Sequence, residues 1–156
     1  MGKTVRAIDL FCGAGGSSWG AKAAGVKLVA GFDCWDLARE TYRDNFPDAH
    51  VFSGRLERLN LKSVRKIVGR IDLILASPEC TNHSVAKGKK RRCETSRRTA
   101  FQVVRFARAF GSRWIVIENV INMRRWSNYK KFTSALEKLG YHVTEQVLDA
   151  THFVQI

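Results

Sequence analysis

The chain has 156 residues, with 27 Lys and Arg against 14 Asp and Glu, a formal net charge of +13. Hydrophobic residues make up 45% and charged residues 26%, the balance of a globular chain and not of a disordered or fibrous one. No apolar run approaches the ~18–20 residues of a membrane span, and the first residues lack the pattern of a secretory signal. The expectation is one cytoplasmic domain over residues 1–156.

In chain order, residues 5–11 read as a buried strand that breaks into Cys12-Gly13-Ala14-Gly15-Gly16. Residues 17–24 form a short helix stopped at Gly25, and 27–32 form a second strand. Helical spacing of Leu37, Ala38, Thr41 and Tyr42 predicts a helix over 36–45, ending before Pro47. A short strand at 50–52, a helix at 62–68 closed by Gly69, and a strand at 71–76 follow. Residues 77–98 are polar. A helix over 99–110 then offers Phe101, Val104 and Ala107 for packing, with Gln102, Arg105 and Arg108 on its polar side. The last elements are a strand at 114–118, a helix at 129–139 and an alternating strand at 142–148.

This rhythm of strand, turn, helix and strand predicts an α/β fold: a doubly wound, mainly parallel sheet with helices on both faces. The alternation of the last strand predicts an antiparallel edge. Ligands of such sheets sit at the carboxyl ends of the strands. That directs attention to residues 11–16, Asp33, the stretch from Ser77 onward, and Glu118-Asn119.

Four features there carry chemistry. The glycine turn lets backbone approach a ligand, and Asp33, twenty positions after Gly13, is placed to accept from both hydroxyls of a ribose. The turn departs from G-x-G-x-x-G and holds no basic residue, which leaves room for a nucleoside cofactor without phosphates. Cys80 lies in the polar loop directly after the fourth candidate strand, within Ser77-Pro78-Glu79-Cys80, where neighbouring positive charge favours the thiolate. Glu118 ends the fifth strand, where partial burial suits a carboxyl to share a proton. Seven basic residues, Lys87, Lys89, Lys90, Arg91, Arg92, Arg97 and Arg98, face a single acid, Glu94, and with Ser84 are candidate nucleic-acid contacts. The cysteines Cys12, Cys34, Cys80 and Cys93 form no C-x-x-C pair, so no metal site is expected.

Taken together, Asp9-Leu10-Phe11-Cys12-Gly13-Ala14-Gly15-Gly16, Pro78-Glu79-Cys80 and Glu118-Asn119-Val120 resemble the ordered motifs of DNA cytosine-5 methyltransferases. Leu139-Gly140-Tyr141 is similar to a later element of that family. The resemblance implies a Rossmann-like methyltransferase fold with S-adenosylmethionine as cofactor and DNA as partner, the target cytosine flipped from the duplex. It assigns Asp9, Phe11, Cys12, Gly13, Gly15, Gly16, Asp33, Cys34 and Pro78 to the cofactor side. The turn would cradle the methionine part, Asp33 would hold the ribose, and position 34 would cover the adenine. Cys80 matches the nucleophile that attacks cytosine C6, and Glu118 the acid that engages N3. Glu79 stands where the family usually has a second proline, and Arg55 where it often has Asp. Residues 148–156 look like the start of a further motif, so a target-recognition part, or a second polypeptide carrying one, is expected to complete the enzyme. Two other readings share these residues: a non-catalytic module binding adenosylmethionine or nucleic acid, and an RNA cytosine-5 methyltransferase. A nicotinamide oxidoreductase would leave Cys80 and Glu118 idle.

Overall fold

Five parallel strands in the order β3-β2-β1-β4-β5 form the core of the structure, a computed structural model that describes residues 3–80 and 93–153. The strands are β1 (Arg6–Leu10), β2 (Lys27–Asp33), β3 (His50–Ser53), β4 (Leu73–Ala76) and β5 (Trp114–Ile117). The helices are α1 (Gly16–Ala23), α2 (Asp36–Asn45), α3 (Leu61–Val68), α4 (Glu94–Arg97), α5 (Phe101–Phe110) and α6 (Tyr129–Glu137). Among the described residues, no helix is long and apolar enough to cross a membrane.

Alternation along the strands explains why helices cover both faces. Ile8 and Leu10 of β1, Ala30 and Phe32 of β2, and Ile74 and Ala76 of β4 pack with residues of α3, α5 and α6. Their neighbours Ala7, Leu28, Leu73 and Leu75 pack on the other side with Tyr42 and Phe46 and with Ala21 of α1. Strands covered on both faces read as continuous apolar runs, which is how β1, β2 and β4 read. The strand order reverses between β1 and β4, and the crevice there opens at the carboxyl ends of both.

The doubly wound architecture is as expected, with two local differences. The helix expected over 99–110 begins as a 3-10 turn, Arg98–Ala100, and becomes α-helical at Phe101. Arg105, expected on its polar side, donates to the carbonyls of Leu56 and Leu59 at 2.7 and 2.6 Å and ties α5 to the turn before α3.

The second difference is a correction. The antiparallel strand expected over 142–148 does not form, and the described sheet is wholly parallel. Alternation supplies a strand with a face, but a strand also needs a ladder partner. Here residues 140–148 stand off from β5 across a groove of about 660 Å³, lined by Trp114, Ile117, Val120, Tyr141, Val143 and Leu148. Tyr141 fixes the start of that segment by donating to the Ser112 carbonyl at 2.7 Å.

Candidate active site

The turn after β1 is built by its glycines and by Asp33. Phe11 takes φ 58, the only non-glycine residue with positive φ among the described residues. Such a conformation is costly for a bulky side chain, and strain of this kind concentrates at functional turns. Gly13 follows at φ 51, and its amide donates to Asp33 Oδ2 at 3.0 Å. Asp33 Oδ1 accepts from the Trp35 amide at 2.9 Å. Gly15 has φ 97, and a Cβ there would run into the Phe46 ring, so only glycine fits. α1 starts at Gly16 with no side-chain cap, leaving the positive end of its dipole at the turn.

Beneath the turn lies a polar chain that the sequence reading did not anticipate. Asp9 is fully buried and accepts from Ser18 Oγ at 2.7 Å; Ser18 in turn lies 2.8 Å from the Tyr42 hydroxyl. Since Ser18 spends its proton on Asp9, Tyr42 donates to Ser18. Asp9 Oδ1 has no hydrogen-bond partner. Burial pushes the Asp9 carboxyl up to about 6, with Ser18 opposing and the Asp33 charge adding. Cys12 is buried beside them, and burial together with the two carboxylates pushes its thiol far above the ordinary range. It is an inert thiol, and its contribution to the turn is backbone. Tyr42 is pushed up as well, chiefly by burial.

Across the sheet, the segments that carry Cys80 and Glu118 are joined through their neighbours. Ser77 donates its amide to the Leu10 carbonyl at 3.1 Å, and Glu118 donates its amide to Ala76 at 3.0 Å. Asn119 Nδ2 donates to the Pro78 carbonyl at 2.7 Å, and its own Oδ1 accepts from the Val120 amide at 2.9 Å. Pro78 is buried, while Glu79 and Cys80 are exposed. Glu118 is exposed too, which corrects the expectation of partial burial. The reason is its strand: β5 is the sheet edge, where the body of the domain covers less surface.

The remaining candidates divide by position. Cys34 is exposed and sits between Asp33 and Trp35, which is 64% exposed at the rim of the turn. Arg55 pairs with Glu57 at 3.7 Å. Arg98 is exposed, whereas the Arg97 side chain is only 15% exposed and lies 3.7 Å from Glu94. Ser84, Lys87, Lys89, Lys90, Arg91 and Arg92 fall outside the described residues.

Residues 5–154 match the profile of the C-5 cytosine-specific DNA methylases. The chain belongs to that family. A Type II methyltransferase of Thalassovita gelatinovora is 28% identical over 156 residues, covering 96% of this chain and 36% of the relative. Another, from Haemophilus influenzae, is 28% identical over 153 residues, covering 95% of this chain and 48% of the relative. This methylase chain therefore spans less than half the length of either. A crystal structure described as a putative DNA modification methyltransferase encoded within an E. coli prophage shares the fold, with a TM-score of 0.73 at 23% identity. It covers 87% of this chain, which covers 37% of it.

Membership of this family implies adenosylmethionine-dependent chemistry in general, and the residues at the turn fit such a cofactor. Nothing lies within 4 Å of the place a Cβ would take on Gly13 or Gly16, so a ligand can lie against that backbone. Each Asp33 oxygen accepts one backbone amide and keeps a lone pair for a hydroxyl. Two other features were missed by reading the sequence: the Asn119 bond to Pro78, and a cluster around Glu94. Asn119 was legible as part of Glu118-Asn119-Val120, but its partner was not, because the two lie 41 positions apart.

Proposed function

We propose that this chain is the cofactor-binding and catalytic portion of an enzyme that methylates C5 of cytosine in DNA. The observation that carries the reading is the 2.7 Å bond from Asn119 to the Pro78 carbonyl, which ties the segment leading to Cys80 to the residue after Glu118. Both ends lie at the carboxyl side of β4 and β5, and β4 is the neighbour of β1 with its glycine turn.

In this reading the turn and Asp33 hold S-adenosylmethionine, with Cys34 beside the adenine, and the cofactor supplies the methyl group. C5 of cytosine is a poor nucleophile, so covalent addition divides one hard step into two easier ones. The Cys80 thiolate forms a bond to C6 of the base, and the pair of electrons displaced from the 5,6 double bond makes C5 nucleophilic. Glu118 faces N3 and balances the charge that develops on the ring. After transfer, C5 gives up its proton to a base, the double bond re-forms, and the Cys80–C6 bond breaks with return of the thiolate. The base is reached by flipping it out of the duplex, at a cost of a few kcal/mol in unstacking. Arg98 and the basic residues 87–92 supply phosphate contacts that offset part of this cost. A target-recognition part, on the same or a second polypeptide, completes the enzyme.

Trapping on duplex DNA carrying 5-fluorocytosine tests the reading, because fluorine at C5 cannot leave as a proton and the adduct persists. With adenosylmethionine and the target-recognition part supplied, a covalent adduct is expected. It should vanish in Cys80→Ser and survive in Cys93→Ser. No adduct under those conditions favours the non-catalytic binding module.

A further inference from the structure

Two carboxylates lie at the glycine turn without a cation to balance them. Asp9 of β1 is fully buried between Gly31 of β2 and Leu75 of β4. Its Oδ2 accepts from Ser18 at 2.7 Å, and its Oδ1 has no partner. Asp33 of β2 is part-buried and accepts the amides of Gly13 and Trp35. Among the described residues, no Lys or Arg side chain pairs with either carboxylate. Arg39 of α2 donates to the Asp33 backbone carbonyl and to the Asp36 side chain.

The other polar groups that face Asp9 are neutral. Ser18 comes from α1, Tyr42 from α2 and Cys12 from the turn, and burial keeps the Tyr42 hydroxyl and the Cys12 thiol protonated. The charge that acts on Asp9 is that of Asp33, which has the same sign and adds to the effect of burial. The field of Asp9 in turn reaches the turn itself, where it helps to raise the Cys12 thiol. Charges in so dry a place are little screened by water or salt. An empty turn therefore favours the neutral acid, and a positive charge set on the turn favours the anion.

We propose that Asp9 is a specificity-determining residue that selects a positively charged ligand at the glycine turn: it holds a proton while the turn is empty and releases it to solvent when a cation settles there, and the carboxylate left behind attracts that cation. Being fully buried, Asp9 acts through its field and not by contact. The inference rests on the proposed function, which puts S-adenosylmethionine at this turn. That cofactor carries a sulfonium. S-adenosylhomocysteine, left after methyl transfer, is the neutral thioether and differs by the one methyl group. Asp9 thus favours the cofactor over its spent form.

Titration calorimetry reads this without turnover, with the target-recognition part supplied. Affinities for S-adenosylmethionine and S-adenosylhomocysteine are compared from about pH 5 to about pH 7. The ratio in favour of the cofactor should rise several-fold over that range. Near pH 6 the cofactor should release more proton than the thioether does, seen as a heat that varies with the ionisation enthalpy of the buffer. Histidines titrate in the same range, and Asp9→Asn separates them. This variant keeps an acceptor for Ser18, and it should flatten the ratio and abolish the extra proton. Ser18→Ala serves if Asp9→Asn does not fold. It removes the donor that lowers the Asp9 carboxyl, so the rise in the ratio should move to higher pH. A ratio that stays flat in the unmutated protein, keeps its slope in Asp9→Asn or does not move in Ser18→Ala overturns the inference and leaves the cofactor reading standing. If neither compound binds at any pH, the cofactor reading fails and the inference fails with it.

Discussion

The two halves of the sheet are held differently. On one side, β2 is buried along nearly its whole length, and its residues face helices above and below. On the other, β5 alternates half-buried and exposed residues, with Trp114 57% and Val116 55% exposed. The half that carries the glycine turn and Asp33 is thus fixed by packing. In the half that carries Glu118 the strand itself is covered less, and hydrogen bonds made after the strand ends add to its hold: Asn119 to Pro78, and Trp126 and Asn128 to Glu94. Apolar packing tolerates little displacement, so the side with the glycine turn is preorganised by its own core. Hydrogen bonds between loops place a side chain just as well but contribute only about 0.5–1.5 kcal/mol each, so the β5 side is the easier one to disturb.

The largest effect should come from breaking the packed half. Phe32 is fully buried, stacks on Phe52 at 4.7 Å and meets Phe106 edge-on at 5.3 Å. Phe32→Ala is expected to cost about 3–5 kcal/mol in urea unfolding, because two aromatic rings, Phe52 and Phe106, lose their common neighbour. A cost below about 2 kcal/mol would mean that this side collapses around a cavity and is no more rigid than the other.

The next effect sharpens the contrast through pH. Burial raises the Asp9 carboxyl from 3.8 to about 6, so the folded protein holds that proton more tightly than the unfolded chain does. The stabilisation from protonated Asp9 is fully present below pH 3.8 and is lost as pH rises through about 6. The gap corresponds to roughly 3 kcal/mol. Asp9→Asn keeps the shape and removes the charge, so the stability difference between mutant and parent should grow in the mutant's favour from pH 4 to pH 7. Urea midpoints measured across that range check it. Parallel curves would show that Asp9 is solvated in the folded state and that the turn is looser than its geometry suggests.

Much of this was legible in the sequence. Apolar runs gave β1, β2 and β4 because strands covered on both faces leave no alternation to misread, and Gly25 and Gly69 marked helix ends where positive φ is needed. The positions of the turn, Asp33, Cys80 and Glu118 followed from the rule that ligands lie at strand carboxyl ends. What could not be read was anything decided by a partner far along the chain. Residues 142–148 have a strand's alternation, yet β5 does not pair with them. Glu118 ends an apolar strand, yet that strand lies at the edge and leaves it exposed. Glu94 was visible only as the single acid in a basic run, because Trp126 and Asn128 lie 32 and 34 positions away.

The smallest effect is expected at the open edge itself. Val116 sits in the middle of β5 and is 55% exposed. Val116→Thr keeps the β-branch that suits a strand and exchanges a methyl for a hydroxyl that water can solvate. Surface changes of this kind stay within about 0.5 kcal/mol, so the urea midpoint should be unchanged within error. The same substitution at a covered position would bury an unpaired hydroxyl and cost about 1–3 kcal/mol. A loss of that size would place this face out of water in solution. Packing would then hold the β5 side as firmly as the β2 side.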